Sequence, residues 1–211
     1  MKSLLSQLSF PKTNSTVLLI ILATSGLLIG FVLILHNYNN IPIGELTRDP
    51  IAVVEAPIYT GFFSQAGIFF WAASATVSLF CAMLLYGQKR EPTLQKFYFF
   101  SGLFVLLLGL DDIFLLHEVV FPMIGISEKA ILSMYLIIAL SYAIGFVKII
   151  LQTDYVLLFI AAFFFGISVI LDVTNISGLD PYLWEDGAKM TGIISWFGYL
   201  ACSAYDTIKT T

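Results

Sequence analysis

Two adjacent aspartates near the end of an apolar stretch give the clearest sign of chemistry in this sequence. Asp111 and Asp112 close a run that begins at Phe97, and His117 and Glu118 follow within two helical turns. A carboxylate in a membrane helix costs about 2.5–3.5 kcal/mol at the bilayer centre, and less toward the interface. Such side chains normally face protein and mark a functional site. We therefore interpret the two aspartates as candidate catalytic or metal-ligating residues.

A second group of charged residues begins the last apolar stretch, while Asp172 ends the stretch before it. Glu185 and Lys189 are spaced i, i+4 in the order that favours an ion pair on a helix. A helical period of about 100° per residue then continues the face of Glu185 through Gly192, Trp196 and Ser203. This face combines charge, a small residue for close packing and an aromatic ring, which is typical of an interior surface.

Helix geometry limits which residues of the first group can act together. On one straight helix Asp111 and Glu118 differ by only about 20°, whereas Asp112 lies about 100° from Asp111 and His117 about 120° the other way. The straight helix therefore predicts an inward pair of Asp111 with Glu118, or Asp112 alone facing another helix. His117 is left at the membrane interface.

The residue types favour two chemistries. Several carboxylates facing one lysine cannot all stay ionised in a low dielectric, so some are protonated or a cation binds. Oxygen ligands suit hard divalent cations such as Ca²⁺, Mg²⁺ or Mn²⁺. The predicted metal ligands are Asp111, Asp112, His117, Glu118 and Asp172. The predicted catalytic residues are Asp111, Asp112, Glu185 and Lys189, with Lys189 steering an anionic group of the substrate.

The elements that position these residues are membrane helices. The chain has 211 residues, of which 59% are hydrophobic and only 11% charged, whereas soluble domains carry about 25% charged residues. Continuous apolar runs of about 20 residues span a bilayer as helices. The predicted spans are 17–35, 63–86, 97–116, 130–150, 155–171 and 185–205. The sequence thus predicts an all-α integral membrane protein, a single bundle of about six helices that forms one domain over residues 1–211.

Lysine and arginine set the orientation, because loops on the cytoplasmic side are enriched in them. With the N-terminus inside, the predicted inner side carries Lys2, Lys12, Lys89, Arg90, Lys96, Lys148 and Lys209. The predicted outer side carries only Arg48, Lys129 and Lys189. Both termini are therefore predicted to be cytoplasmic, in a multi-pass protein of the cell's inner or plasma membrane. The same orientation brings the acids of the third, fifth and sixth spans to one level near the outer face.

The function that follows is an acidic, divalent-metal-binding site near the outer membrane face, in an enzyme that acts on a lipid or other apolar substrate. A cation or proton transporter or channel subunit is the first alternative, with an inner path along Ser78, Ser101, Ser141 and Tyr142. A structural or assembly subunit of a membrane complex, in which Asp111 and Asp112 pair with a partner protein, is the second. The expected cofactor is a divalent cation, and the expected partners are the lipid bilayer, a lipid or cation ligand and a membrane protein. No motif indicates nucleic acid.

Overall fold

The computed structural model describes residues 15–89, 91–174 and 180–209. Within these ranges the regular structure is helical, and no strand occurs. The chain divides into two compact units, residues 1–60 and residues 61–211.

The described part of the first unit includes one long apolar helix. Helix α1 spans Ser15–Asn39, and its 25 residues exceed the about 20 that a bilayer requires. Two short helices follow, α2 over Ile43–Thr47 and α3 over Pro50–Val53. The side chain of Asp49 caps α3 and accepts a hydrogen bond of 2.8 Å from the backbone N–H of Ile51. The predicted long loop after the first span is therefore partly helical.

The second unit contains the remaining elements. They are α4 (Phe62–Gly87), α5 (Pro92–Phe114), a π-helical turn (Leu116–Val120), α6 (Phe121–Met123), α7 (Glu128–Gly145), α8 (Val147–Ile150), α9 (Tyr155–Thr174) and α10 (Pro181–Lys209). The long helices contain or closely follow the predicted spans. The fourth span differs most, because Phe146 leaves helical geometry with φ of −115° and ψ of 15° and separates α7 from α8.

Five of the described helices are long and apolar enough to cross a membrane. They are Thr16–Asn39, Phe62–Gly87, Pro92–Phe114, Glu128–Gly145 and Tyr155–Asp172. Helix α10 is not among them, because, averaged over its whole length, it is less apolar than the other long helices. The all-helical, multi-pass character of the chain is confirmed, while the sixth span, the single domain and the cytoplasmic termini stay predictions.

The second unit distributes polarity in the way that a lipid environment requires. Ser74, Ser78, Ser101 and Asp111 are buried. Large apolar side chains on the same helices are exposed, among them Phe69, Phe80, Ile137 and Phe159. In lipid the backbone is satisfied within helices and apolar side chains can face outward, so this arrangement suits a membrane rather than water.

Glycines allow the helices to approach closely. A Cβ at Gly192 would lie 3.1 Å from the Phe165 ring and 3.2 Å from the carbonyl oxygen of Ala161, so α10 packs directly on α9. A Cβ at Gly109 would lie 3.0 Å from Cβ of Trp71, which joins α5 to α4 in the same way. Small residues at helix contacts are typical of membrane bundles, where close packing replaces the hydrophobic effect.

An aromatic cluster fills the centre of the second unit. The ring of Trp71 stacks on Phe165 with centroids 5.8 Å apart. The ring of Trp196 meets Trp71 at 6.3 Å and Phe104 at 5.5 Å. Helices α4, α5, α9 and α10 therefore share one core directly beneath the charged end of α5.

Candidate functional site

Asp111 lies in the last turn of α5 and is almost completely buried. Its Oδ1 accepts hydrogen bonds from the Tyr135 hydroxyl at 2.7 Å and from the backbone N–H of His117 at 3.0 Å. Its Oδ2 accepts a hydrogen bond from Nδ1 of His117. A carboxylate buried at a helix end thus has three donors from two parts of the chain, which offset the cost of burying its charge.

A break in the backbone brings His117 to Asp111. Leu115 adopts the left-handed region with φ of 49° and ψ of 45°, and the π-helical turn of Leu116–Val120 follows. A bulky residue in this region is a strained outlier, and π-helical turns often occur at functional sites. The straight helix predicted either an inward pair of Asp111 with Glu118 or Asp112 alone facing another helix, with His117 left aside. The placement of His117 was wrong, because the break turns this residue back onto Asp111. The second alternative agrees with the contact that Asp112 makes to another helix.

Asp112 takes a different basic partner. Its Oδ1 forms an ion pair with Nζ of Lys189, which projects from α10. The carboxylate is 12% exposed and the lysine side chain 32%. The predicted i, i+4 pair of Lys189 with Glu185 is therefore not the contact that forms, because the helix-to-helix partner is nearer. The two neighbouring aspartates thus bind two different segments: Asp111 binds the π-helical turn and Asp112 binds α10. We call the following five residues the acid site: Asp111, Asp112, His117, Tyr135 and Lys189.

A cleft of about 270 Å³, measured to include its open mouth, lies beside the ion pair. Its walls come from α4, α5 and α10, and its lining residues are Phe63, Ser64, Gly67, Asp112, Asp186, Lys189, Met190 and Ile193. The enclosed space within the cleft is only about 30 Å³, far below the about 300–1,000 Å³ of sites that enclose a whole drug-sized ligand. The cleft therefore has room for a small polar group, and the rest of a larger molecule would lie outside it.

The other predicted acids lie around the acid site at longer range. Oε1 of Glu118 is 3.5 Å from Nε2 of His117. Glu118 and Asp186 both act electrostatically on Lys189. Asp172, which is exposed on α9, acts electrostatically on Glu185. Direct bonds in this region involve Asp111 and Asp112, and the predicted grouping of acids from the three segments stays a prediction.

The neighbours of His117 favour its protonated form. The hydrogen bond to Asp111 raises the pKa of the imidazole above its ordinary value, and the charges of Asp111 and Glu118 act in the same direction. Burial and the charge of Lys189 oppose this rise but do not cancel it. The ring therefore binds its proton more tightly than a free histidine does.

The described residues do not form a metal-ligand cluster. Within residues 15–89, 91–174 and 180–209, no group of three or more His, Cys, Asp or Glu side chains is placed to hold a metal ion. Asp111 already accepts three hydrogen bonds, and Asp112 is bonded to Lys189. The divalent-cation cofactor stays a prediction, and this geometry does not add support for it.

Tyr135 is the site residue that sequence reasoning missed. It lies on α7, its hydroxyl bonds to Asp111, and its side chain is buried. A tyrosine in an apolar span is usually read as an interfacial residue. The signal available in the sequence was the depth of Tyr135, which is two turns inside its helix and therefore level with the acids of α5.

One family model matches this chain, and it covers residues 16–203. Searches among curated proteins and among solved structures gave no match. The family match includes both compact units and every residue of the acid site. Since it extends over well over half of the sequence, the chain belongs to the family described as a domain of unknown function, DUF8692.

Proposed function

We propose that the protein is a membrane-embedded enzyme that uses the acid site for acid–base chemistry on a lipid or other apolar substrate. The observation that carries the proposal is the bond between Asp111 and Nδ1 of His117. A carboxylate that holds one ring nitrogen fixes the orientation of the imidazole, and the other nitrogen then exchanges a proton with the substrate. Nε2 of His117 is that atom.

His117 acts as the proton donor in this proposal. Its pKa is raised by Asp111, so the ring is protonated at a pH at which an ordinary histidine has begun to lose its proton. Tyr135 and the backbone N–H of His117 hold the Asp111 carboxylate in place. Asp111 and Tyr135 are therefore positioning residues, and His117 is the catalytic residue.

The cleft beside Asp112 and Lys189 would receive the polar part of the substrate. Lys189 is already neutralised by Asp112, and Asp186 adds a further carboxylate to the lining. The net charge of the cleft is negative, so it favours neutral or positively charged headgroups. This argues against the predicted role of Lys189 in steering an anionic group. By the distribution of lysine and arginine, this end of the protein faces outward.

Cation transport and an assembly role gain less support from the geometry. A cation transporter needs charged or carbonyl ligands along its path. Among the described residues, however, the buried polar side chains other than Asp111 are serines. Of the predicted inner path, Ser78, Ser101 and Tyr142 are buried and Ser141 is exposed. An assembly subunit would offer unpaired acids to its partner, yet Asp111 and Asp112 are paired within the chain.

A comparison of cell extracts tests the proposal. Organic-soluble extracts of cells producing equal amounts of the wild type or of His117→Gln are compared by mass spectrometry. We expect at least one compound class to be depleted and another to accumulate only with the wild type. The matched control is His36→Gln, since the only other histidine lies in α1. Identical extracts from the wild type and His117→Gln would contradict an enzymatic role.

A metal-dependent variant of this function remains separately testable. Metal content is measured in purified wild type and in the double variant Asp111→Asn/Asp112→Asn. A stoichiometric divalent ion in the wild type that is lost in the double variant supports the predicted cofactor. Equal content in both proteins leaves the acid–base role of His117 without a metal.

A further inference from the structure

Three buried donors lie in the interior beneath the acid site. They are Nε1 of Trp71, Oγ of Ser78 and Nε1 of Trp196, and none has a hydrogen-bond partner among the described residues. Their residues are 4%, 0% and 8% exposed, so lipid and bulk solvent do not reach them. We call these three residues the inner polar row.

Unpaired buried donors are rare, because losing water without gaining another partner is costly. Several serine and threonine hydroxyls of this chain bond to the carbonyl four residues earlier, as Thr76 does with Ala72 at 2.8 Å. Ser74 does the same with Phe70 at 2.7 Å. Ser78, one turn further along the same helix, does not. Indole nitrogens have no such local acceptor, so Trp71 and Trp196 need a partner other than the protein groups that the structure describes.

The inner polar row forms a series along α5. Trp71 packs at the level of Gly109, one turn from Asp112. Trp196 packs on Phe104, and Leu79, the neighbour of Ser78, packs against Gly102. The series ends beside Ser101, whose Oγ is 2.6 Å from the Tyr142 hydroxyl. The residues of the inner polar row therefore pack near the levels of residues 109, 104 and 102 of α5, between the acid site and the Ser101–Tyr142 pair.

We propose that the inner polar row binds a file of ordered water molecules that connects the acid site with the Ser101–Tyr142 pair. Eight residues separate the Gly109 and Ser101 levels, which corresponds to about 12 Å along a helix. At about 2.8 Å between hydrogen-bonded oxygens, about four waters span this distance. A buried water usually makes about three hydrogen bonds, so indole N–H and serine hydroxyl groups suit it. Such a file lets protons move between the acid site and the interior.

The water file does not depend on the enzymatic role proposed for His117. It concerns partners of Trp71, Ser78 and Trp196, which lie deeper in the unit. The extracts of the wild type and His117→Gln can therefore be identical although the water file exists. Equally, the extracts can differ although the water file is absent.

Nuclear magnetic resonance of the full chain in detergent micelles tests the proposal. The three tryptophans of the sequence give three indole N–H signals, and Trp184→Phe identifies the exposed reference. We expect the two remaining signals to have the shifts of hydrogen-bonded indoles. After transfer to D₂O we expect them to exchange within about tenfold of the Trp184 rate, because a water file needs no unfolding. Non-bonded shifts, or protection that lasts until the whole protein unfolds, would overturn the proposal.

A pair of matched variants tests the lower end of the file. Ser78→Ala removes the hydroxyl from the buried side of α4, and Thr76→Val removes a hydroxyl from its exposed side. We expect Ser78→Ala to move the Trp196 signal toward a weaker hydrogen bond and Thr76→Val to leave it unchanged. Equal spectra for Ser78→Ala and Thr76→Val would show that Ser78 does not share water with Trp196.

Discussion

The ion pair between Asp112 and Lys189 leads to a quantitative prediction for the change Lys189→Met. Methionine keeps much of the apolar stem of lysine but removes the charge, so the carboxylate of Asp112 stays buried without its partner. Removing one member of a buried ion pair typically costs about 3–5 kcal/mol. Asp112 is 12% exposed and Lys189 32%, so water screens part of the interaction. We expect Lys189→Met to lower the free energy of unfolding by about 2–3 kcal/mol.

A double-mutant cycle separates the interaction from the simple loss of a side chain. The double variant Asp112→Asn/Lys189→Met removes both charges and should recover at least about 1 kcal/mol relative to Lys189→Met, because no lone charge is left in the interior. The unfolding free energy of each variant is measured by titration with sodium dodecyl sulfate in mixed micelles. Lys129→Met makes the same charge change at an exposed position of α7 and serves as the control. It should change stability by less than about 0.5 kcal/mol.

Two outcomes would refute the reasoning. A loss for Lys189→Met no larger than for Lys129→Met would show that Asp112 is solvated and needs no partner. A double variant that is less stable than the wild type by the sum of the two single-variant effects would show that the two side chains do not interact. Either result would also contradict the ion pair that we place in the lining of the cleft.

Two further predictions concern His117 and the break that positions it. The pKa of His117 is raised in the folded protein from an ordinary value of 6.5, so the protonated ring stabilises the fold fully below pH 6.5, and this contribution is lost as the pH rises through the raised pKa. Unfolding measured from pH 6 upward should show this loss in the wild type and not in Asp111→Asn, and a flat wild-type profile would contradict it. Leu115→Gly should stabilise the protein by about 0.5–1 kcal/mol, because glycine adopts the left-handed region without the strain of a β-carbon. Thermal unfolding measures this gain, and a lower midpoint for the variant would show that the Leu115 side chain contributes more than its strain costs.

The sequence predicts the helices well because a long apolar run leaves one stable structure in lipid. A backbone that crosses a bilayer must satisfy its own hydrogen bonds, so the apolar stretches indicate helices whatever their neighbours are. The predicted face of α10 is confirmed at Trp196 and Ser203, which are buried, and at Gly192, which packs on Phe165. Periodicity was sufficient here because α10 is a regular helix over 29 residues.

The pairing of charges could not be predicted in the same way. The residues that carry charge were identifiable, since an aspartate is costly in an apolar segment. Which base meets which acid depends on the distance between helices, and periodicity contains no information about it. Lys189 therefore appeared to pair with Glu185 on its own helix, although Asp112 on α5 is its partner.

The acid site forms because α5 ends at Phe114, although the apolar residues that follow are compatible with a longer helix. A straight α5 extended past Leu115 would aim His117 about 120° away from Asp111. The sequence between Asp111 and Glu118 contains no glycine or proline that would predict a helix break, and Leu115 adopts the left-handed conformation instead. Strain of this kind persists only where other contacts outweigh it. The three hydrogen bonds that converge on Asp111 are such contacts, two of them from the segment that the break turns back. The strained Leu115 and the Asp111–His117 bond are therefore two parts of one arrangement, and loss of the bond should let the π-helical turn relax toward a continuous helix.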